Sequence, residues 1–365
     1  MTEPASGWRH HPTARTWAAE PLADSPRDFH RTLAGYAPTP LTEVPDLAAE
    51  LGVDRVLVKD ESHRLGLPAF KILGASYATA RELSRRLGSD APLPVAELRR
   101  RLASSALSLT AATDGNHGRA VARMAALLGI PAAIAVPTGV SAEAREAIVA
   151  EGADLVECDL PYDDVVRRVA ADLAVDQVLI QDTSWPGYRV VPQWIVDGYD
   201  TMLAEVDEQL GSAPDLVVVP AGVGSLAQSV VSHYRRDGHR PALLVVEPDT
   251  AACVGAALDA GGIVTVPTDA TVMTGLNCGT VSELAWPALA GGLDAAVTVT
   301  DRQALDAVTT LARHGVDSGP CGASTLAGAR AVCGDGIRRA ALGLTADAVV
   351  VLLSTEGRAA NPTTV

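Results

Sequence analysis

Lysine is almost absent from this chain of 365 residues: of its 29 basic residues, only Lys59 and Lys71 are lysines. The others are arginines, which keep their proton in proteins and form no imine, whereas a desolvated lysine can act as a nucleophilic amine. Any chemistry that needs an amine is therefore restricted to two positions.

Cysteine is also scarce, and its five residues form no Cys-x-x-Cys pair: Cys158, Cys253, Cys278, Cys321 and Cys333. An odd number without that spacing indicates neither a disulfide framework nor a zinc site. We expect small buried thiols and no metal centre. Spacing alone leaves open whether Cys253 and Cys278 meet in space.

Long apolar runs and surplus positive charge are missing as well. No apolar stretch reaches membrane-spanning length without glycine, proline or charge, and the N-terminus does not have the pattern of a signal peptide. The formal net charge is −15, which argues against nucleic acid and anionic membrane as partners. We therefore expect a soluble cytoplasmic protein.

Short apolar runs alternate with helical patterns. The predicted strands are Arg55–Lys59, Leu107–Ala112, Ala132–Val136, Leu155–Glu157, Gln177–Gln181, Asp215–Val219, Ala242–Glu247, Ala296–Thr298 and Ala348–Leu353. The predicted helices include Phe70–Leu87, Asn116–Leu128, Ala142–Ala150, Tyr188–Leu210, Gly224–Tyr234, Arg302–His314 and Gly322–Val332. Continuous Val, Leu and Ala runs indicate sheets buried on both faces. The alternation predicts an α/β fold with mostly parallel, doubly wound sheets in two lobes.

Lys71 follows the first predicted strand after a polar, turn-rich segment and opens a helix. Ligands of α/β sheets bind just beyond the carboxyl ends of strands. A helix N-terminus disfavours the ammonium form, which favours a nucleophilic amine. Taken alone, Lys71 is more typical of an exposed lysine in a first helical turn. Lys59 lies in a Lys-Asp-Glu cluster and is more typical of a charge partner.

A second polar turn, Thr113-Asp-Gly-Asn116-His117-Gly, lies at another junction of strand and helix. Thr113, Asn116 and the backbone amides could hold a carboxylate at the helix start. A helix cap accounts for the same residues equally well. His117 alone is more typical of a packed or capping histidine than of an acid–base group.

The glycine-rich turn Gly222–Ala227 follows an apolar strand and opens a helix, so its amides and Ser225 could hold a phosphate. The same turn fits the dinucleotide fingerprint Gly-x-Gly-x-x-Ala, and Glu247 ends the next strand near the place of a ribose-binding acid. On this segment alone, an NAD-linked oxidoreductase and a single-phosphate site are equally favoured.

Two acids and two hydroxyls complete the candidate site. Asp114 and Asp182 follow different strands and could face one cleft, where two carboxylates suit a substrate with two ammonium groups. A turn or cap role explains Asp182 equally well. Ser354 or Thr355, at the end of the last strand, could donate a hydrogen bond to an unprotonated pyridine nitrogen.

The order of these motifs resembles the fold-type II pyridoxal phosphate (PLP) enzymes and, more narrowly, the diaminopropionate ammonia-lyases. The segments that carry the resemblance span about Lys59 to Gly357: KDESHRLGLPAFKILGASYA, ATDGNHGRAVA, QDTSW, PAGVGSLA, EPDTAAC, GLNCGT, DSGPCGAS and LLSTEG. Serine and threonine dehydratases usually have Ser where this chain has Asp114. The chain departs from the family pattern after STEG, where it reads Arg-Ala-Ala-Asn-Pro, and matches only patchily over 255–294.

The resemblance implies a role for each candidate residue. Lys71 would form the Schiff base with PLP, and Asp114 and Asp182 would serve as proton acceptors or amine partners. The remaining cofactor-binding residues would be Asn116 at the phenolic oxygen, Gly222, Val223, Gly224, Ser225 and Leu226 around the phosphate, and Ser354 or Thr355 at the ring nitrogen. The substrate-binding residues would be Thr113, Asp114, Asn116 and Asp182.

The resemblance also implies an activity and a domain organisation. The expected reaction is α,β-elimination of 2,3-diaminopropionate to pyruvate and ammonia, with a serine/threonine dehydratase-type lyase as the alternative. Residues 1–76 and 189–365 would form a large cofactor-binding domain, and 77–188 a smaller mobile domain. We expect a homodimer that acts on a small amino acid.

Overall fold

The computed structural model describes residues 7–113, 115–236 and 238–360. Its strands are β1 (Trp8–His10), β2 (Leu41–Glu43), β3 (Arg55–Asp60), β4 (Ser108–Ala112), β5 (Ala132–Pro137), β6 (Asp154–Cys158), β7 (Gln177–Leu179), β8 (Leu216–Pro220), β9 (Ala242–Pro248), β10 (Ala295–Val299) and β11 (Val349–Ser354). Within these ranges they form two separate sheets.

The α-helices are α1 (Pro26–His30), α2 (Pro45–Leu51), α3 (Lys71–Arg86), α4 (Val95–Leu102), α5 (Asn116–Leu128), α6 (Ala142–Ala150), α7 (Tyr162–Ala171), α8 (Val190–Leu210), α9 (Ser225–Tyr234), α10 (Cys253–Ala260), α11 (Trp286–Gly292), α12 (Asp301–Arg313), α13 (Pro320–Cys333) and α14 (Gly336–Leu342). Short 3-10 helices lie at Ala14–Thr16, Thr274–Leu276 and Arg358–Ala360. In the part of the chain that the structure describes, no helix combines the length and apolar character needed to cross a membrane.

The first of two compact units comprises residues 1–21, 38–63 and 202–365. Its sheet has the order β1-β10-β9-β8-β11-β3-β2, parallel except at the two edge strands. Every residue of β8 and β9 is buried, as expected for strands covered on both faces. The carboxyl ends of β8 and β11 carry the glycine-rich turn and Ser354.

The second unit comprises residues 22–37 and 64–201. Its four strands are all parallel, in the order β6-β5-β4-β7. Helix α3 is closely packed in this unit, because a Cβ added at Gly74 would lie 2.6 Å from a ring carbon of Tyr199 and 2.8 Å from the Ile195 carbonyl oxygen. Only glycine allows that approach, so α3 and its first residue, Lys71, are held firmly against α8.

The α/β class with mostly parallel sheets is confirmed, and each predicted strand and helix is present. The edge strands β1 and β2 were not predicted, because three residues carry no usable periodicity. The predicted domain boundary at 76/77 falls inside α3, whereas the structure keeps this helix whole in the second unit. The predicted mobility of the smaller domain stays a prediction.

Candidate active site

Lys71 is the first residue of α3, and its Nζ donates a hydrogen bond to Asp182 Oδ2 at 2.9 Å. Asp182 follows β7, which pairs in parallel with β4, so it lies beyond the carboxyl end of a strand as the sequence predicts. The Lys71 side chain keeps 28% of its surface exposed, and that of Asp182 keeps 13%. The structure thus brings one reactive amine and one carboxylate together in the second unit.

The Asp182 carboxyl is strongly acidic. Burial by itself would raise its pKa, but positive charge at His117 and Lys71, together with the Lys71 hydrogen bond, brings the pKa down to about 2. Asp182 is therefore a carboxylate at every physiological pH. It can accept a hydrogen bond from a proton donor, but it has no proton of its own to donate.

Two further side chains meet this pair, and sequence reasoning assigned neither to the site. His117 is buried, and its Nδ1 lies 3.8 Å from Asp182 Oδ2. The ring of Tyr199 on α8 packs against the ring of Phe70, with 4.7 Å between the ring centroids. Burial raises the pKa of Tyr199 to about 12, while Lys71 and Asp182 act on it with opposite signs. The Gly-Asn-His-Gly turn could have indicated that His117 lies at the site, whereas no sequence motif indicated Tyr199.

The hydroxyl of Thr113 binds the backbone of its own turn. Its Oγ1 accepts hydrogen bonds from the Gly115 and Gly118 amides at 3.0 and 3.1 Å. These bonds are those of the helix-cap interpretation given in the sequence analysis. Asn116 opens α5 and is half-buried. Asp114 lies outside the described residues. The substrate-binding roles of Thr113, Asp114 and Asn116 stay predictions.

In the first unit, the turn after β8 has the features of a phosphate site. Gly224 has φ +95° and precedes α9, whose first turn carries neither a side-chain cap nor an acidic residue. A Cβ added at Gly222 would lie 2.9 Å from Cys278 Sγ and 3.1 Å from the Gly275 carbonyl oxygen. A close-packed glycine turn with uncapped helix amides fits a phosphate group.

Glu247, the candidate ribose-binding acid, is already engaged by protein. Its Oε1 and Oε2 accept hydrogen bonds from the amides of Val254 and Gly255 at 2.7 and 2.8 Å, and its side chain is fully buried. Burial raises the pKa of Glu247 to about 7, although these two hydrogen bonds act to lower it. Because both oxygens are buried and already accept from the amides at the start of α10, this geometry goes against the dinucleotide interpretation.

Ser354 ends β11, and its hydroxyl donates a hydrogen bond to Ser318 Oγ at 2.7 Å. Both side chains are buried, and so is Thr355. Gly322 packs tightly here, because a Cβ added to it would lie 2.8 Å from the Thr355 amide nitrogen. The Ser354 hydroxyl has one hydrogen, so it would have to leave Ser318 to donate to a pyridine nitrogen, and this cofactor role stays a prediction.

The five cysteines are free thiols. Cys253 Sγ lies 3.4 Å from the Gly222 carbonyl oxygen, and Cys278 packs against the same glycine. Burial raises the pKa of the Cys253 thiol, so it is protonated at neutral pH. Among the described residues, no group of three or more His, Cys, Asp and Glu side chains converges as metal ligands would.

Lys59, the other lysine, is fully buried in the first unit. Its Nζ donates to Glu205 Oε2 at 2.7 Å, to the Thr39 carbonyl oxygen at 2.8 Å and to Gln209 Oε1 at 2.8 Å. All three ammonium hydrogens therefore have acceptors. This supports the predicted role as a charge partner and leaves Lys71 as the available amine.

Replacing Lys59 with methionine should destabilise the fold without removing the reactive amine. The change removes the cation that pairs with the buried Glu205 carboxylate, so we expect the free energy of unfolding to fall by about 3–5 kcal/mol. Urea denaturation measures it, and the double variant Lys59→Met/Glu205→Met should recover much of the loss. An unchanged stability with lost catalysis would instead make Lys59 the functional amine.

Comparison with known proteins shows the family of this chain. The family model of pyridoxal-phosphate dependent enzymes matches residues 32–356. A diaminopropionate ammonia-lyase of Escherichia coli is 39% identical over 347 residues, covering 91% of this chain and 87% of that protein. A diaminopropionate ammonia-lyase of Salmonella typhimurium is 38% identical over 290 residues, covering 75% of this chain and 71% of that protein.

Solved structures show the same likeness. The Escherichia coli diaminopropionate ammonia-lyase in complex with D-serine superposes with a TM-score of 0.86 at 34% identity, covering 97% of this chain and 95% of that one. Maize serine racemase superposes with a TM-score of 0.75 at 25% identity, covering 95% of both chains.

The parallel sheets and the match to the family model place this chain among the fold-type II pyridoxal-phosphate-dependent enzymes. Within that class, the chain belongs to the diaminopropionate ammonia-lyase family.

Proposed function

We propose that this enzyme converts 2,3-diaminopropionate and one water into pyruvate and two molecules of ammonia. The observation that carries the proposal is the hydrogen-bonded pair of Lys71 Nζ and Asp182 Oδ2, 2.9 Å apart at the start of α3. A crystal structure of the Escherichia coli relative is described as a complex with an aminoacrylate-PLP azomethine reaction intermediate, which supports elimination chemistry here.

The residues present fit PLP as the cofactor. Lys71 would bind its aldehyde, Gly222–Leu226 its phosphate, Asn116 its phenolic oxygen, and Ser354 or Thr355 its ring nitrogen. When bound, PLP supplies an electron sink for the carbanion formed at the substrate α-carbon. The cofactor roles other than that of Lys71 rest on the helix-start and strand-end positions described above.

Lys71 Nζ is the group that moves protons. Once substrate frees it, the amine accepts the α-proton of one enantiomer, while Asp182 Oδ2 orients it and compensates the charge of the ammonium that forms. Asp114 is proposed as the base for the opposite enantiomer. Thr113 and Asn116 are proposed to hold the substrate carboxylate at the start of α5.

The departing β-amino group also needs a proton, because amide ion is a very poor leaving group. Asp182 does not supply it, since its pKa of about 2 leaves the carboxyl ionised. The proton that Lys71 Nζ has taken up is therefore the one available to the leaving nitrogen. Once it has been protonated, the β-nitrogen is an ammonium group, which the carboxylate of Asp182 would attract.

The proposal is tested by stoichiometry. Purified enzyme loaded with PLP is given D- and L-diaminopropionate, D- and L-serine and threonine, and pyruvate, 2-oxobutyrate and ammonia are measured. Diaminopropionate should be preferred, with two ammonia molecules released for each pyruvate. A preference for serine or threonine, with one ammonia per oxo acid, would replace our proposal with the dehydratase alternative. That alternative is a real competitor because the Escherichia coli relative was crystallised with D-serine.

We further propose that the enzyme is a cytoplasmic homodimer. The five free thiols suit a reducing compartment, and closed two-fold symmetry is the commonest assembly of soluble enzymes. Light scattering of the purified protein and fractionation of the source cells test the two statements separately.

A further inference from the structure

The imidazole of His117 is held in a single orientation. Its Nε2 lies 2.7 Å from the Ile180 carbonyl oxygen, and a carbonyl oxygen only accepts, so Nε2 carries a hydrogen in every protonation state. The ring can therefore gain or lose a proton only at Nδ1. This atom is buried, has no hydrogen-bond partner among the described residues, and lies 3.8 Å from Asp182 Oδ2.

One carboxylate oxygen thus faces two basic nitrogens, because Asp182 Oδ2 is also the atom that accepts from Lys71 Nζ. While Nδ1 is neutral, the Asp182 charge stabilises the ammonium form of Lys71 alone. A proton on Nδ1 puts a second cation beside the same oxygen, which weakens the hold on the Lys71 proton. The state of His117 is therefore coupled to the state of Lys71 through Asp182.

We propose that His117 is a positioning residue whose proton at Nδ1 determines, through Asp182, how tightly Lys71 holds its own proton. Its part in the elimination rests on the proposed function, whereas its coupling to Lys71 does not. The step needs Lys71 as a free amine to take the α-proton and as an ammonium to protonate the leaving nitrogen. A cation beside Asp182 shifts the balance between these two forms of Lys71.

Among the residues that the structure describes, the other titratable groups nearby do not provide this control. The phenol of Tyr199 faces Lys71 and Asp182 from α8, and its pKa of about 12 keeps it neutral over the working range. On α5 itself, Arg119 pairs with Glu151 at 3.1 Å. Of the described groups that lower the pKa of Asp182, only His117 and Lys71 are charged side chains.

The test uses the holoenzyme and the pH dependence of the visible absorbance of PLP bound to Lys71, which reports the proton on the lysine nitrogen. His117→Gln retains an amide N–H for the Ile180 carbonyl and removes the basic Nδ1. We expect the midpoint of the titration to move upward by about one pH unit, as loss of a neighbouring cation requires. The kcat should fall while KM changes little.

The matched control is His30→Gln in the same unit, because His30 is buried and hydrogen-bonded to Thr201 Oγ1 at 2.7 Å, in contact with neither Lys71 nor Asp182 in the bonds described. This variant should leave the titration of the absorbance unchanged. An unchanged midpoint in His117→Gln overturns the proposal, because a purely structural histidine is replaced adequately by a residue that keeps the Ile180 hydrogen bond.

A second measurement applies if His117→Gln does not fold. Since coupling is reciprocal, the Nδ1 of His117 must lose its proton at a lower pH when Asp182→Asn removes the carboxylate, which nitrogen-15 NMR of labelled histidine detects. An unmoved His117 titration refutes the coupling. Failure of the proposed function is distinguishable: diaminopropionate then yields no pyruvate, while the absorbance still responds to His117→Gln.

Discussion

Replacing Lys71 with alanine should reduce the elimination rate by at least about 10⁴-fold, because the substitution removes the amine that we propose both holds the cofactor and moves the α-proton. Pyruvate release from diaminopropionate measures the loss. The visible absorbance of PLP bound to lysine should disappear from the same preparation. Lys71 is part-exposed, so the free energy of unfolding should change far less than in the Lys59→Met variant.

Lys71→Arg is the matched control for charge. Arginine keeps a cation beside Asp182 but stays protonated, so it forms no imine and takes up no proton. The arginine variant should be as inactive as the alanine variant. Substantial pyruvate release or a retained visible absorbance in either one would remove Lys71 from the mechanism.

Replacing Asp182 with asparagine should lower kcat by about 10²- to 10⁴-fold, the usual contribution of a positioned proton-transfer partner. The amide cannot compensate the charge of the Lys71 ammonium, so Lys71 should release its proton at a lower pH. The visible absorbance of the holoenzyme should therefore titrate at a lower pH in Asp182→Asn than in the unsubstituted enzyme. Asp164→Asn, at the surface beside Arg167, is the control that should change neither quantity.

The pH dependence of stability and activity follows from the direction in which the pKa of Asp182 is shifted. Its pKa is lowered from 3.8 to about 2, so the stability contributed by its charge is present above its unfolded pKa and is lost as the pH falls through about 2. Protonation of Asp182 therefore does not limit activity near neutral pH. The carboxyl of Asp182 should therefore add no ionisation of its own to the pH–rate profile of the unsubstituted enzyme between mildly acidic and neutral pH, and an acid limb in that range that disappears in Asp182→Asn would contradict the assignment.

Local chemistry explains which elements were predictable. The bounds of α5 and α6 were predicted to the residue, because Gly129 ends α5 at φ +73° and the Ser141 side chain caps α6. The strands β1 and β2 were missed because each is three residues long and is defined by antiparallel pairing with a strand distant in sequence. Their formation depends on contacts that no local pattern encodes.

The sequence by itself determined the chemistry that is available. Two lysines restrict the amine to two positions, and the buried strands with polar turns at their carboxyl ends predict where ligands bind. The order of the motifs is enough to identify the family. Each of these properties follows from residue type and local spacing, which are read directly along the chain.

The tertiary structure decided which of these residues act together. It brought the Asp182 carboxylate into hydrogen-bond contact with the Lys71 amine, which is 111 positions away in the sequence. It also paired Lys59 with the buried carboxylate of Glu205. It also turned the His117 Nδ1 toward Asp182 and covered Glu247 with the start of α10. The reason is physical: a charged side chain acts through its distance to another charge and through the water removed around it, and both are set only when the sheets and helices pack.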